Sequence, residues 1–302
     1  MPELPDVELY LHALTPRIVG QQLERLRIAS PFLVRSVDPP VSTIEGRTVR
    51  ALERIGKRVV WAFDEELFCV IHLMIAGRFR WKPKGAAVPG KVGLAAFDFA
   101  SGTLLLTEAS PKKRASLQVV RGRDALVALD PGGIDPLTCT LEEFAERLRV
   151  ENHTVKRSLT DPRLFSGIGN AYSDEILHAA QVSPLQLTSR LSDEQLAVLY
   201  EATRETLTTW AKRLIEETGD GFPEKVTAFR EGMALHGRYG KPCPRCGAPV
   251  QRLSYADNEC NYCAVCQTGG RLLADRALSR LLKEDWPRTL EELETLKRQR
   301  RG

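Results

Sequence analysis

No stretch of this chain stays apolar over the roughly 18 residues that a membrane-spanning helix needs. The first residues also lack a basic segment followed by an apolar run, the pattern of a secretory address. Neither a bilayer span nor export is expected, and a cytosolic location is. An excess of one charge is missing too: 43 Lys and Arg stand against 39 Asp and Glu, a net charge of +4, so composition alone announces no polyanion partner. Cysteine is scarce outside one segment. Of seven, Cys69, Cys139 and Cys260 are scattered and four share one spacing, which fits metal binding in a reducing compartment better than a disulfide framework. What remains is an ordinary globular composition, 43% hydrophobic and 27% charged, over 302 residues, enough for two domains and a small appendage.

The patterned cysteines are Cys243 and Cys246 in K-P-C-P-R-C-G and, after sixteen intervening residues, Cys263 and Cys266 in N-Y-C-A-V-C-Q. Two C-x-x-C pairs supply four soft thiolates for one structural Zn2+ ion, and the metal then replaces a hydrophobic core in a small hairpin module, a zinc ribbon. Cys260 also stands in a C-x-x-C relation to Cys263, so a set of Cys243, Cys246, Cys260 and Cys263 is conceivable. We favour Cys266, because the pairs 243/246 and 263/266 both run into glycine. A ribbon alone says only that there is a structural metal.

The opposite end reads M-P-E-L-P-D-V-E. Removal of Met1, expected before so small a second residue, leaves the ring nitrogen of Pro2 as a free secondary amine with the Glu3 carboxylate beside it. An α-amino group titrates near ~8, against ~10 for lysine, so an appreciable fraction is uncharged at neutral pH and able to attack a sugar C1′ and form an iminium. Taken alone, Pro2 and Pro5 suit the first turn of a helix equally well.

Val7, Leu11, Leu14 and Ile18 recur at helical spacing, so residues 5–19 are expected to form a helix directly behind Pro2 and Glu3. From about 22 to 121, short β-rich runs such as R-V-V-W-A-F, F-C-V-I-H-L and T-L-L-L-T follow one another without helices, which predicts an antiparallel sandwich or barrel. Residues 122–140 read as a linker. From 141 to about 218 the period becomes helical, with Thr140 and Ser192 as N-caps. Between two of these helices lies D-P-R-L-F-S-G-I-G-N, whose glycines and helix start at Asn170 suit an anion, with Lys156 nearby. Basic clusters at 112–114, 156–157 and around Arg238, Lys241 and Arg245 each adjoin a motif, and together they suggest a surface that tracks phosphates. The expected divisions are 1–121, 122–140, 141–235, a zinc finger at 236–270 and a helical basic tail at 271–302.

With P-E-L-P at its start, G-I-G-N after a basic helix, and H-G-R-Y-G-K-P-C before four cysteines, the chain resembles the formamidopyrimidine-DNA glycosylase and endonuclease VIII family over roughly residues 1–270. The resemblance implies a multidomain α+β protein: an N-terminal β-sandwich, a helix-two-turn-helix domain and a zinc finger. It implies a glycosylase and AP lyase that everts a damaged base, releases it and cuts the strand, working as a monomer on double-stranded DNA in a bacterial-type cytoplasm. By position, Pro2 resembles the nucleophile, Glu3 the general acid, and Lys57 the lysine that contacts phosphate and assists elimination. Asn170 resembles a phosphate-binding asparagine and Lys156 a basic backbone contact.

Three departures stand out. The family places an arginine before the second cysteine pair where this chain has Asn258, which implies weaker phosphate pinning and impaired δ-elimination unless Arg252 or Arg271 substitutes from a nearby strand. Ile75 remains as an apolar plug, but Arg114 stands where an aromatic wedge is expected and Lys112 where an arginine reads the opposite base. The stretch 218–235 looks shorter than in enzymes that cap oxidised guanine with a loop. A different lesion or a broader range follows, with oxidised bases the leading expectation; the alternatives are a glycosylase for bulky or crosslinked adducts and, from another class, a non-catalytic damaged-DNA binder.

Overall fold

The first helix, α1, runs Leu4–Ile18 with Glu3 as its N-cap and Pro5 in its first turn. Asp6 at the third helical position accepts from the Glu3 N–H at 2.9 Å, the reciprocal half of a capping box. In the computed structural model, residues 1–255, 258–274 and 287–299 are described. The chain divides into two compact units, Met1–Gly133 with Thr208–Thr227, and Ile134–Leu207 with Ala228–Gly302.

The first unit is an antiparallel β-sandwich. Its strands are β1 (Arg25–Ile28), β2 (Val49–Ile55), β3 (Arg58–Phe63), β4 (Leu67–His72), β5 (Gly77–Lys82), β6 (Gly93–Phe99), β7 (Gly102–Glu108) and β8 (Ser116–Arg121). One sheet has the order β1-β6-β7-β5 and the other β2-β3-β4-β8. Trp61 of β3 meets Phe97 and Phe99 of β6 at ring separations of 4.8 and 5.9 Å, joining the two sheets through a fully buried aromatic cluster. Such ring pairs contribute about 1 kcal/mol each beyond their area. Helix α1 is tied to both sheets, by the Arg54–Glu8 ion pair at 2.7 Å and by Tyr10 packed edge-on against Phe79. A short helix, α2 (Arg123–Val127), follows β8 inside the stretch read as a linker.

The second unit carries α3 (Leu141–Arg149), α4 (Val155–Thr160), α5 (Asn170–Ala179) and the start of α6 (Asp193–Thr218), then the hairpin β9 (Gln251–Tyr255) with β10 (Asn258–Tyr262) and α7 (Ala264–Thr268). The expected caps form: Thr140 and Glu143 exchange hydrogen bonds, as do Ser192 and Gln195. Of the expected tail, residues 275–286 and 300–302 lie outside the described residues; Leu290–Gln299 is helical. No helix among the described residues is long and apolar enough to cross a membrane.

Candidate active site and metal centre

In the first unit the strand register gathers the candidate catalytic residues on one edge of the sandwich. Ile55 pairs with Arg58, so Gly56 and Lys57 form the two-residue tip of the β2–β3 hairpin, and Gly56 at φ +59 fills the first central position, where a II′ turn takes glycine. Arg58 pairs with His72 and His72 with Ser116, which places the start of β8 on the same edge as Lys57. Pro2 and Glu3 are buried ahead of α1. Burial lowers the pKa of the Lys57 ammonium, and the Glu3 carboxylate opposes that shift. The Met1 α-ammonium is likewise lowered, chiefly by burial, with Glu3 opposing and Arg78 and Lys57 among the lesser contributors. The start of the chain, Glu3, Lys57 and Arg78 therefore share one electrostatic environment.

Two loops cross between the sheets side by side at this edge, because Gly77 pairs with Glu108 while His72 pairs with Ser116. The first, residues 73–76, carries Ile75, 57% exposed at its tip. It is wound so tightly that a β-carbon on Gly77 would lie 2.2 Å from the Leu73 carbonyl oxygen. Arg78 braces the loop by donating to the carbonyls of Ile75 at 3.1 Å and Gly77 at 2.6 Å, and it also donates to the Val226 carbonyl. Sequence reasoning missed Arg78, although it directly follows H-L-M-I-A-G. The second loop exposes Lys112 and Arg114, whereas Lys113 turns back to donate to the carbonyls of Lys91 and Glu108. That basic cluster is thus two outward charges and one internal tie.

In the second unit Lys156 points inward. Its ammonium lies 2.6 Å from Asp174, 2.8 Å from the Ser173 hydroxyl and 3.2 Å from the Asn170 carbonyl. Asp174 also meets His236 Nδ1 at 2.9 Å and accepts from the Asn261 N–H at 3.2 Å. Burial alone would raise the Asp174 pKa, but Lys156 and His236 outweigh it and hold the carboxyl below its ordinary value. Asn170 starts α5 and donates its side-chain amide to the Glu259 carbonyl at 2.8 Å. Glu175 accepts from three successive backbone N–H groups, Ala234, Leu235 and His236. Asp174, Glu175 and His236 escaped the sequence reading because their partners are about sixty residues apart in the chain.

Cys243, Cys246, Cys263 and Cys266 bring their sulfurs within 4.8 Å of one another, with Cys246 to Cys263 at 3.4 Å and Cys243 to Cys266 at 4.0 Å. Metal–sulfur bonds of ~2.3 Å in a tetrahedron separate sulfurs by roughly 3.8 Å, so this set fits a tetrahedral ion. The two turns are built differently. The first is a knuckle in which the Gly247 N–H donates to the Cys243 carbonyl; in the second Cys263 caps α7, which ends at left-handed Gly269. Cys260 lies elsewhere, packed with Leu253, Tyr262 and Leu272, and burial pushes its thiol pKa far up.

Residues 1–115 match the formamidopyrimidine-DNA glycosylase N-terminal domain, and residues 133–218 match the formamidopyrimidine-DNA glycosylase H2TH domain. A formamidopyrimidine-DNA glycosylase of Thermus thermophilus is 31% identical over 285 residues, covering 89% of this chain and all of that protein. The chain belongs to the formamidopyrimidine-DNA glycosylase family. An uncharacterized formamidopyrimidine-DNA glycosylase-like protein of Mycobacterium tuberculosis is 42% identical over 151 residues, half of this chain and 94% of that protein. The solved complex of Lactococcus lactis Fpg with DNA containing an abasic site superposes with a TM-score of 0.77 at 25% identity, over 88% of this chain and 99% of that one. As in that family, the sandwich, the helix-two-turn-helix segment and the four-cysteine ribbon occur here in order. The side chain of Asn258, at the position of the expected arginine, lies outside the described residues.

Proposed function

We propose that this protein removes a damaged base from double-stranded DNA and nicks the resulting abasic strand, with Pro2 as nucleophile. The observation that carries the reading is the crowding of the chain start, Glu3, Lys57 and Arg78 on the edge from which the loops bearing Ile75, Lys112 and Arg114 emerge. An environment that lowers the pKa of an α-amine leaves more of it neutral, which is the state a nucleophile needs. With Met1 removed, the Pro2 nitrogen attacks C1′ as the C1′–base bond breaks, and the base leaves with a proton for which Glu3 is the donor; the Glu3 carboxylate then takes the proton of the Pro2 nitrogen and gives it to O4′ as the C1′–O4′ bond opens, leaving an iminium at C1′. The iminium acidifies C2′; loss of a C2′ proton expels the 3′-phosphate, a β-elimination in which Lys57 supplies positive charge at the phosphate. Ile75 fills the space left by the everted nucleotide, and Lys112 and Arg114 face the duplex with less exact base reading than an aromatic wedge and an arginine would give.

Zinc is the metal that four thiolates at these separations suit best, and it would serve structurally, with no open position for chemistry. We place the protein in a reducing cytoplasm as a monomer.

Borohydride trapping on a duplex with one abasic site tests the proposal. A covalent protein–DNA adduct that peptide mapping places on the Pro2 nitrogen is expected. Tight binding without any adduct would instead make the protein a damaged-DNA binder. Glu3→Gln should lose far more activity on a damaged base than on a preformed abasic site, where no base has to leave.

A further inference from the structure

His178 sits in the last turn of α5, 5% exposed, with Nε2 3.2 Å from the Cys243 sulfur. Cys243 is itself 2% exposed, so water does little to solvate a thiolate there. Four thiolates around one divalent ion leave a dianionic centre, and a buried charge of that kind requires hydrogen-bond donors. A metal-bound thiolate has no proton to give. The contact therefore forms only if His178 is the donor through Nε2–H, which fixes its tautomer. Four residues earlier on the same face of α5, Asp174 accepts from the Asn261 N–H of β10, and Glu175 grips the backbone of 234–236. Asn170 of the same helix donates to the Glu259 carbonyl of β10, so α5 holds the ribbon and the segment leading into it at several points, and His178 is the one that touches a ligand sulfur.

We propose that His178 is a positioning residue of the metal centre, whose Nε2–H donates to the Cys243 thiolate and strengthens metal retention. The inference rests on the four-cysteine site holding zinc. Removal of a hydrogen-bond partner of a metal ligand typically costs about 10–100-fold in metal affinity. His178→Phe keeps an aromatic ring of similar volume without the donor, and His178→Gln keeps a donor.

The full-length protein is titrated against a chromophoric chelator for Zn2+, and in parallel loaded with Co2+ to count thiolates by charge-transfer absorption. Expected are a four-thiolate spectrum in all three proteins, zinc held about 10–100-fold more weakly by His178→Phe, and substantial recovery in His178→Gln. In the zinc-loaded wild-type protein, 15N shifts of the imidazole should report a proton on Nε2. Equal zinc affinity of wild type and His178→Phe, or a proton on Nδ1 alone, overturns the inference. So does a three-thiolate wild-type spectrum that changes in His178→Phe, because His178 would then be a ligand. A wild-type protein that takes up neither ion removes the zinc reading itself, an outcome distinct from the others.

Discussion

The Lys156 ammonium lies 2.6 Å from a carboxylate oxygen of Asp174 whose side chain is wholly buried. Asp174 is shared with His236 and the Asn261 N–H, so a helix, the segment leading into the ribbon and a ribbon strand meet on a single carboxylate. Lys156 is thereby held beside the start of α5 instead of projecting freely.

Asp174→Ala should destabilise the second unit by about 3–5 kcal/mol, because it leaves a partly buried ammonium without its counter-charge. The Asp174 carboxyl is held below its ordinary value by Lys156 and His236 against the opposing effect of burial. Its contribution is therefore present above the unfolded value near ~4 and is lost as pH falls through the folded value. Thermal unfolding followed from pH 7 to 3 should show Asp174→Asn less stable at neutral pH, with the gap closing as pH drops below about 4. A constant gap would mean that the carboxylate charge is not what matters.

Lys57 loses its proton more readily than a free lysine, whose ordinary value is 10.5, because burial outweighs the Glu3 attraction. If the charged form assists elimination, strand nicking has an alkaline limb below that value. Lys57→Arg, always charged, should move the limb upward, and Lys57→Met should lower the nicking rate by about 100-fold across the range. Single-turnover nicking of abasic DNA between pH 6 and 10 measures both.

Cys266→Ala and Cys260→Ala should separate cleanly. The first removes a ligand from the four-sulfur cluster and releases the metal to a chelator; the second leaves metal content unchanged and costs about 1 kcal/mol for a small cavity in its apolar cluster. Metal analysis after gel filtration reads one, and chemical denaturation the other.

Ile75→Ala removes an exposed side chain and should change stability by less than about 0.5 kcal/mol. Its effect should appear as slower release of a base from intact duplex, with little effect when the lesion already lies in an unpaired bulge. Lys112→Ala should reduce the slope of log affinity against log salt by about 1, the signature of one lost phosphate contact.

Much of the fold is readable locally. R-V-V-W-A-F coincides with β3, T-L-L-L-T lies inside β7, and the Thr140 and Ser192 caps need only a partner three residues on. Strand β1 was not legible: Arg25 and Arg27 interrupt its apolar pattern, and it is held by the two-pronged hold of Arg27 on Asp98, 71 residues away. The site divides in the same way. The cysteines announce their chemistry by spacing, and Gly56 with Lys57 sits at a turn that sequence can place. The inward course of Lys156 depends on Asp174 and His236, and the reach of His178 to Cys243 spans 65 residues, so neither leaves a mark in any short window.

The absence of room for a β-carbon at Gly77 also tells an engineer where to cut and where to leave alone. Libraries aimed at new lesion preferences can randomise Ile75 at little cost in stability. Even alanine at Gly77 would unwind the bend that presents Ile75, and Arg78 with it, so diversity introduced there would be spent on misfolded clones.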